Sequence, residues 1–142
     1  DLQSLIGMEI EEEEEQTLIG FCVLGGIFGE GIDLKKDSLI GVIVVGTGLP
    51  QVGCEREILK DYFDDKGENG FDYSYRYPGM NKVLQSAGRV IRTEDDKGII
   101  LLLDDRFQNR QYQQLFPREW KEYEVCGRKE IKEKMEEFWE KR

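Results

Sequence analysis

Apolar residues gather along the chain into three short, nearly unbroken runs: "LIGFCVL" (18–24), "LIGVIVV" (39–45) and "IILLL" (99–103). Such runs are too short for helices and have no wet face, so each predicts a strand buried on both sides. The second is rich in β-branched residues, which favour strands. Between the runs the spacing becomes helical. Cys54, Ile58, Leu59, Tyr62 and Phe63 predict a helix from Gly53 to Asp65, ended by the turn residues "DKGENG". Pro78 suits a helix start. After it Met80, Val83, Leu84, Ala87, Val90 and Ile91 fall within an arc of ~120°, predicting a helix over 78–92.

The remaining segments are weaker. "FDYSYRY" (71–77) alternates aromatic and polar residues and predicts an edge strand or an extended loop. A short helix near Gln111–Phe116 is stopped by Pro117, and "KEYEVC" (121–126) suggests a weak fourth strand. A C-terminal helix over Arg128–Lys141 gathers Ile131, Met135, Phe138 and Trp139 on one side, a stripe suited to docking on a sheet. Buried strands separated by helices predict an α/β fold with a mainly parallel sheet flanked by helices. Three strong strands are few for such a sheet, so the expectation is a domain truncated at its N-terminal side.

Composition narrows this picture. The 142 residues suit one domain with one core, 39% are hydrophobic and 35% charged. No apolar run reaches membrane-spanning length, and nothing resembles a signal peptide. The chain opens on Asp1 and reads as an excised domain. Cys22, Cys54 and Cys126 are scattered, as in reduced thiols of a cytoplasmic protein, with Cys22 expected in the core. There is no histidine and no metal-ligand spacing. The net charge of −10 argues against nucleic acid taken alone. However, Asp1, Glu9 and Glu11 to Glu15 supply much of it. Residues 1–17 are expected to be a solvated, poorly ordered leader and 18–142 the domain. Charge therefore neither supports nor excludes a nucleic-acid partner.

The helix at 78–92 carries the candidate chemistry. With Gln85 at 0° on the wheel, Arg89 lies at ~40° and Arg92 at ~−20°, opposite the apolar arc. Gly88 beside them costs about 1 kcal/mol relative to alanine, which a close backbone or ligand would offset. Two guanidinium groups one turn apart can hold a polyphosphate, or can simply pair with Glu94, Asp95 or Asp96 at the surface.

Gln85, Gly88, Arg89 and Arg92 form Gln-x-x-Gly-Arg-x-x-Arg, which resembles motif VI of superfamily 2 helicases. The continuation through Asp96, Gly98, Asp104, Arg106 and Phe107 is similar to the DinG-type, XPD-like branch, and "GGIFGEGIDL" with Glu30, Gly31 and Asp33 resembles its motif V. The resemblance spans Leu18 to Phe107. It implies the second RecA-like domain of an ATP-dependent DNA helicase. Arg89 and Arg92 would then contact ATP phosphates, one of them as an arginine finger. Gln85 would position the nucleotide or relay its state, and Gly88 would belong to the same nucleotide site. Glu30, Gly31 and Asp33 would couple the nucleotide to single-stranded DNA. The P-loop and the acidic box for Mg²⁺ do not occur in this chain. The resemblance therefore implies ATP with Mg²⁺ held mainly by the N-terminal RecA-like domain of the same parent chain, and an isolated fragment without ATPase activity.

Other signals point less sharply. "GTGLPQVG" misses the spacing of a dinucleotide-binding loop. Tyr73, Tyr75 and Tyr77 beside Arg76 could stack on bases or pack over the sheet edge. Asp104 and Asp105 lack a nucleophile or histidine nearby in sequence, and Arg106 is the expected ion-pair partner. The alternative from a different class is a non-catalytic acidic α/β interaction module.

Overall fold

The computed structural model describes residues 19–26, 39–91, 93 and 95–140. The acidic leader at 1–17 lies outside them. Two strands, β1 (Gly41–Val45) and β2 (Ile99–Leu103), pair in parallel with Gly41 opposite Ile99 and Val45 opposite Leu103. Two helices fill the connection, α1 (Cys54–Asp65) and α2 (Tyr77–Ala87). Beyond β2 come a 3₁₀ turn (Asp105–Gln108), the one-turn helix α3 (Arg110–Gln113) and, after a further 3₁₀ turn, α4 (Ile131–Glu140). The described residues thus form a small parallel α/β unit, as the alternation of apolar runs and helical spacing predicts.

The core lies on one face of this sheet. Val44, Met80, Val83, Phe107 and Tyr112 are buried together, with Val42, Leu84, Leu102, Phe116 and Trp120 packed around them. Side chains alternate along a strand, so Val42 and Val44 point inward while Ile43 and Val45 point away. Ile43, Val45 and Leu103 are exposed, Val45 by 77%. The strands are therefore half-buried rather than buried on both faces, because the described helices cover one side only.

Several expectations from the sequence are corrected. Residues 19–26 form no strand: they end in a turn closed by a hydrogen bond from Gly26 N to the Val23 carbonyl (2.9 Å), and Gly25 takes φ 78°. Without a ladder partner among the described residues, Ile19, Phe21 and Val23 stay exposed, and Cys22 is exposed rather than core. Only Leu24 of this stretch packs on the core. The segment 121–126 is irregular rather than a strand, and Tyr123 and Val125 are exposed. No residue of α4 is buried, so its apolar stripe is not docked on the sheet. The α1 stripe is likewise open, with Ile58 and Tyr62 exposed.

"FDYSYRY" departs most from its prediction. Asp72–Arg76 is a π-helical turn that runs directly into α2. Its aromatics pair at helical spacing: Phe71 with Tyr75 (5.4 Å) and Tyr73 with Tyr77 (5.2 Å). Tyr73 also stacks on Phe63 of α1 at 4.0 Å, and the buried Tyr75 donates its hydroxyl hydrogen to the Glu57 carboxylate. These rings pack against one another and against α1, not over the sheet edge that the packing alternative named. Among the described residues, no helix is long and apolar enough to cross a membrane.

Candidate nucleotide-facing site

α2 runs antiparallel to the strands. Its first turn rests on the loop after β1: a Cβ on Gly79 would lie 2.7 Å from the Thr47 carbonyl oxygen. Its far end meets the amino ends of both strands, where the chain approaches β1 through Ile40 and β2 through Gly98. Ile99 N–H donates to the Ile40 carbonyl (3.0 Å), and a Cβ on Gly98 would collide with Val90.

The helix ends earlier than the sequence predicts, at Ala87 rather than 92. Gly88 N–H donates to the Leu84 carbonyl (2.8 Å), and the next two donors reach back only three residues, Arg89 to Ser86 (3.3 Å) and Val90 to Ala87 (3.0 Å). The chain thus tightens into 3₁₀-type turns, a common helix ending. Ile91 leaves the apolar arc and is exposed. Gly88 keeps an ordinary helical φ of −65°, and the neighbours a Cβ there would meet are carbonyls of its own helix. The expectation that another backbone approaches Gly88 is therefore not met among the described residues.

Gln85 lies in the last turn of α2, and Gly88 and Arg89 lie in the tightened turns that follow it. Gln85 is exposed. Arg89 is half-buried with its Nε removed from solvent, and it sits between two buried anchors, Ala87 and Val90. Anchors on both sides restrict where the guanidinium can point. Arg92, Glu94, Glu30, Gly31 and Asp33 lie outside the described residues. The donors here, a guanidinium and the NH₂ of a primary amide, suit anionic oxygens. Among the described residues, no cluster of acids or cysteines could hold a metal ion.

The carboxyl ends of the strands form a second locus. The loop Gly46–Pro50 and the segment Asp104–Arg106 meet there, joined by Gly46 N–H donating to the Leu103 carbonyl (3.3 Å). Asp104 caps the following 3₁₀ turn through Arg106 N–H (2.9 Å) and accepts two further bonds from the same guanidinium, Nε to Oδ1 (2.8 Å) and Nη2 to Oδ2 (2.7 Å). This is the pair expected from the sequence. Arg106 holds the Asp104 carboxyl below its ordinary value. A lowered carboxylate pKa contributes stability above the unfolded value and loses it as pH falls through the folded one. Asp104→Ala should therefore cost about 1 kcal/mol at neutral pH, as lost caps do. In urea unfolding, the gap between variant and parent should shrink as pH drops below 4; a gap that widens in acid contradicts this.

Sequence reasoning missed the contact between Gly48 and Gly79, the seat of α2 on the β1 loop. The available signal was a glycine inside the first turn of a helix, in "YPGM", where it is a poor helix former.

Comparison with known proteins gives this geometry a context. A family model described as a helicase C-terminal domain matches residues 4–123. The ATP-dependent DNA helicase DinG of Photobacterium profundum is 39% identical over 89 residues, covering 61% of this chain and 13% of that protein. A probable ATP-dependent helicase of Methanocaldococcus jannaschii is 30% identical over 118 residues, 74% of this chain and 18% of its own. A regulator of telomere elongation helicase 1 homolog of Anopheles gambiae is 35% identical over 112 residues, 74% of this chain and 11% of its own. The chain therefore spans less than a fifth of the length of each of these relatives.

Proposed function

The chain belongs to the helicase C-terminal domain family, and from that premise we propose that it is part of the second RecA-like motor domain of an ATP-dependent DNA helicase. In this reading the chain, its domain being residues 18–142, forms one wall of an ATP site completed by an N-terminal RecA-like domain of the same parent chain. The observation that carries the reading is the position of Arg89, fixed between the buried Ala87 and Val90 at the amino ends of the strands.

A guanidinium held this way meets the charge that develops on the transferred phosphoryl group, with little reorganisation at the moment of reaction. Gln85, one turn earlier and exposed, can donate its amide to the nucleotide or to an attacking water. Arg92 is assigned the second phosphate contact by the motif alone. Mg²⁺ is assigned to the first domain, because the donors here suit anions. The strand carboxyl ends, with Gly46–Pro50 and Asp104–Arg106, are assigned to single-stranded DNA, following the general placement of ligands in parallel sheets. Glu30, Gly31 and Asp33 are assigned to coupling between the two loci.

The test compares the intact parent protein with the 142-residue chain. The parent should hydrolyse ATP faster when an oligothymidylate is present, and the chain alone should show no turnover. Turnover by the purified chain that disappears on Arg89→Ala would sink the shared-site reading.

A further inference from the structure

Gly48 and Gly79 press backbone against backbone. A Cβ on Gly79 would lie 2.7 Å from the Thr47 carbonyl oxygen and 3.0 Å from both Gly48 C and Leu49 N. Conversely, a Cβ on Gly48 would lie 2.7 Å from the Gly79 carbonyl oxygen and 2.8 Å from Leu24 Cδ2. Gly48 also holds φ 66°, a left-handed conformation that suits glycine. Thr47 beside it is 1% exposed, and its Oγ1 has no hydrogen-bond partner among the described residues. The loop is thus located by steric fit against α2 and Leu24, with no contribution from that hydroxyl.

From this seat α2 runs ~16 Å as an 11-residue rod. Met80, Val83 and Ala87 are almost fully buried along it, so it is locked to β1 and the core over its length. At its far end Val90 is wedged against Gly98, with Arg89 immediately before it. A close-packed helix moves as a unit, so a displacement at its first turn reappears at its last. The two loci at opposite ends of the sheet are connected by one rigid element.

We infer that the Gly48–Gly79 contact is the seat through which nucleic acid bound at the strand carboxyl ends sets the position of Arg89. Gly79 is a positioning residue: it touches neither ligand and acts through α2. The inference rests on the reading that Arg89 faces ATP and the strand carboxyl ends face single-stranded DNA. It adds which contact passes the signal.

The test uses the intact parent enzyme and Gly79→Ala, whose added methyl must push the Thr47–Leu49 backbone off the helix. ATP turnover without nucleic acid should be unchanged, and oligothymidylate is supplied at saturation so that a change in its affinity does not enter the comparison. The stimulation of turnover by oligothymidylate should fall roughly tenfold, within the ordinary range of coupling between sites. Full stimulation in a folded Gly79→Ala enzyme overturns the inference. Should that variant not fold, amide hydrogen exchange of the unaltered enzyme decides instead. Oligothymidylate should change protection at 46–49 and at 85–90 together, and a change at 46–49 alone overturns the inference. If Arg89→Lys leaves turnover untouched, the underlying reading fails and takes this inference with it. If Arg89→Lys abolishes turnover while Gly79→Ala keeps full stimulation, the inference fails alone.

Discussion

Lysine in place of Arg89 is expected to lower the ATP turnover of the full-length enzyme by ~10³-fold or more, the scale at which an arginine finger acts in phosphoryl transfer. The substitution keeps the positive charge and most of the side-chain length. What it removes is the planar fork that engages two phosphate oxygens at once. The loss should fall on kcat and leave KM for ATP little changed, because the contact matters most when charge builds on the γ-phosphate. The fold should survive, since the buried anchors at this site are Ala87 and Val90 and both remain. Steady-state kinetics with a thermal melt on the same sample separates the cases. An unchanged Tm with kcat intact contradicts the role given to Arg89, whereas a collapsed Tm would mean that the residue holds the fold.

The largest expected loss of stability comes from Arg76, which has no part in the proposed chemistry. Arg76 is 8% exposed, unusually low for an arginine. Its Nη1 donates to the Asp72 carboxylate one turn earlier, and its Nη2 donates to Oε1 of Gln111 (2.9 Å). The guanidinium carbon also lies over two rings, Phe71 at 5.4 Å and Tyr112 at 5.3 Å. One side chain thereby ties the π-helical turn ahead of α2 to α3, beyond β2.

Arg76→Ala should cost about 3 kcal/mol in urea unfolding, because it strands the largely buried Asp72 carboxylate without its cation. The double change Arg76→Met with Asp72→Leu should recover most of that loss, since neither charge then remains to be desolvated. A loss below about 1 kcal/mol for Arg76→Ala would place the pair among ordinary surface ion pairs.

Legibility from sequence followed the range over which each feature is encoded. The strands β1 and β2 and the helices α1 and α2 were readable because their apolar periods are local. The π-helical turn was not. Its alternation of aromatic and polar residues has the period of a strand, yet Phe71 and Tyr75, or Tyr73 and Tyr77, are also four apart and meet as helical neighbours, the first pair stacked and the second edge to face. Residues 18–24 carry the composition of a buried strand, but burial needs a partner, and Phe21 is 96% exposed. The same holds for α4, whose stripe predicts amphipathicity and cannot say what covers it.

Within the candidate site, the spacing of Gln85, Gly88 and Arg89 is local and visible in the sequence. The early end of α2 was not, because Ala87 to Val90 have helical spacing and only the hydrogen bonds show the tightened turn. The Gly48–Gly79 seat joins segments far apart in sequence: the glycine of "YPGM" marks one side of it, and no local pattern names the partner. Arg76 likewise reads as a surface cation until tertiary packing encloses it.

The structure of the full-length enzyme with Mg²⁺, ADP and aluminium fluoride tests most directly whether Arg89 reaches across an interdomain cleft to ATP. The predicted result is a guanidinium nitrogen of Arg89 within about 3 Å of the fluoride that stands for the transferred phosphoryl group. A closed nucleotide site in which Arg89 contacts only its own domain would contradict the claim.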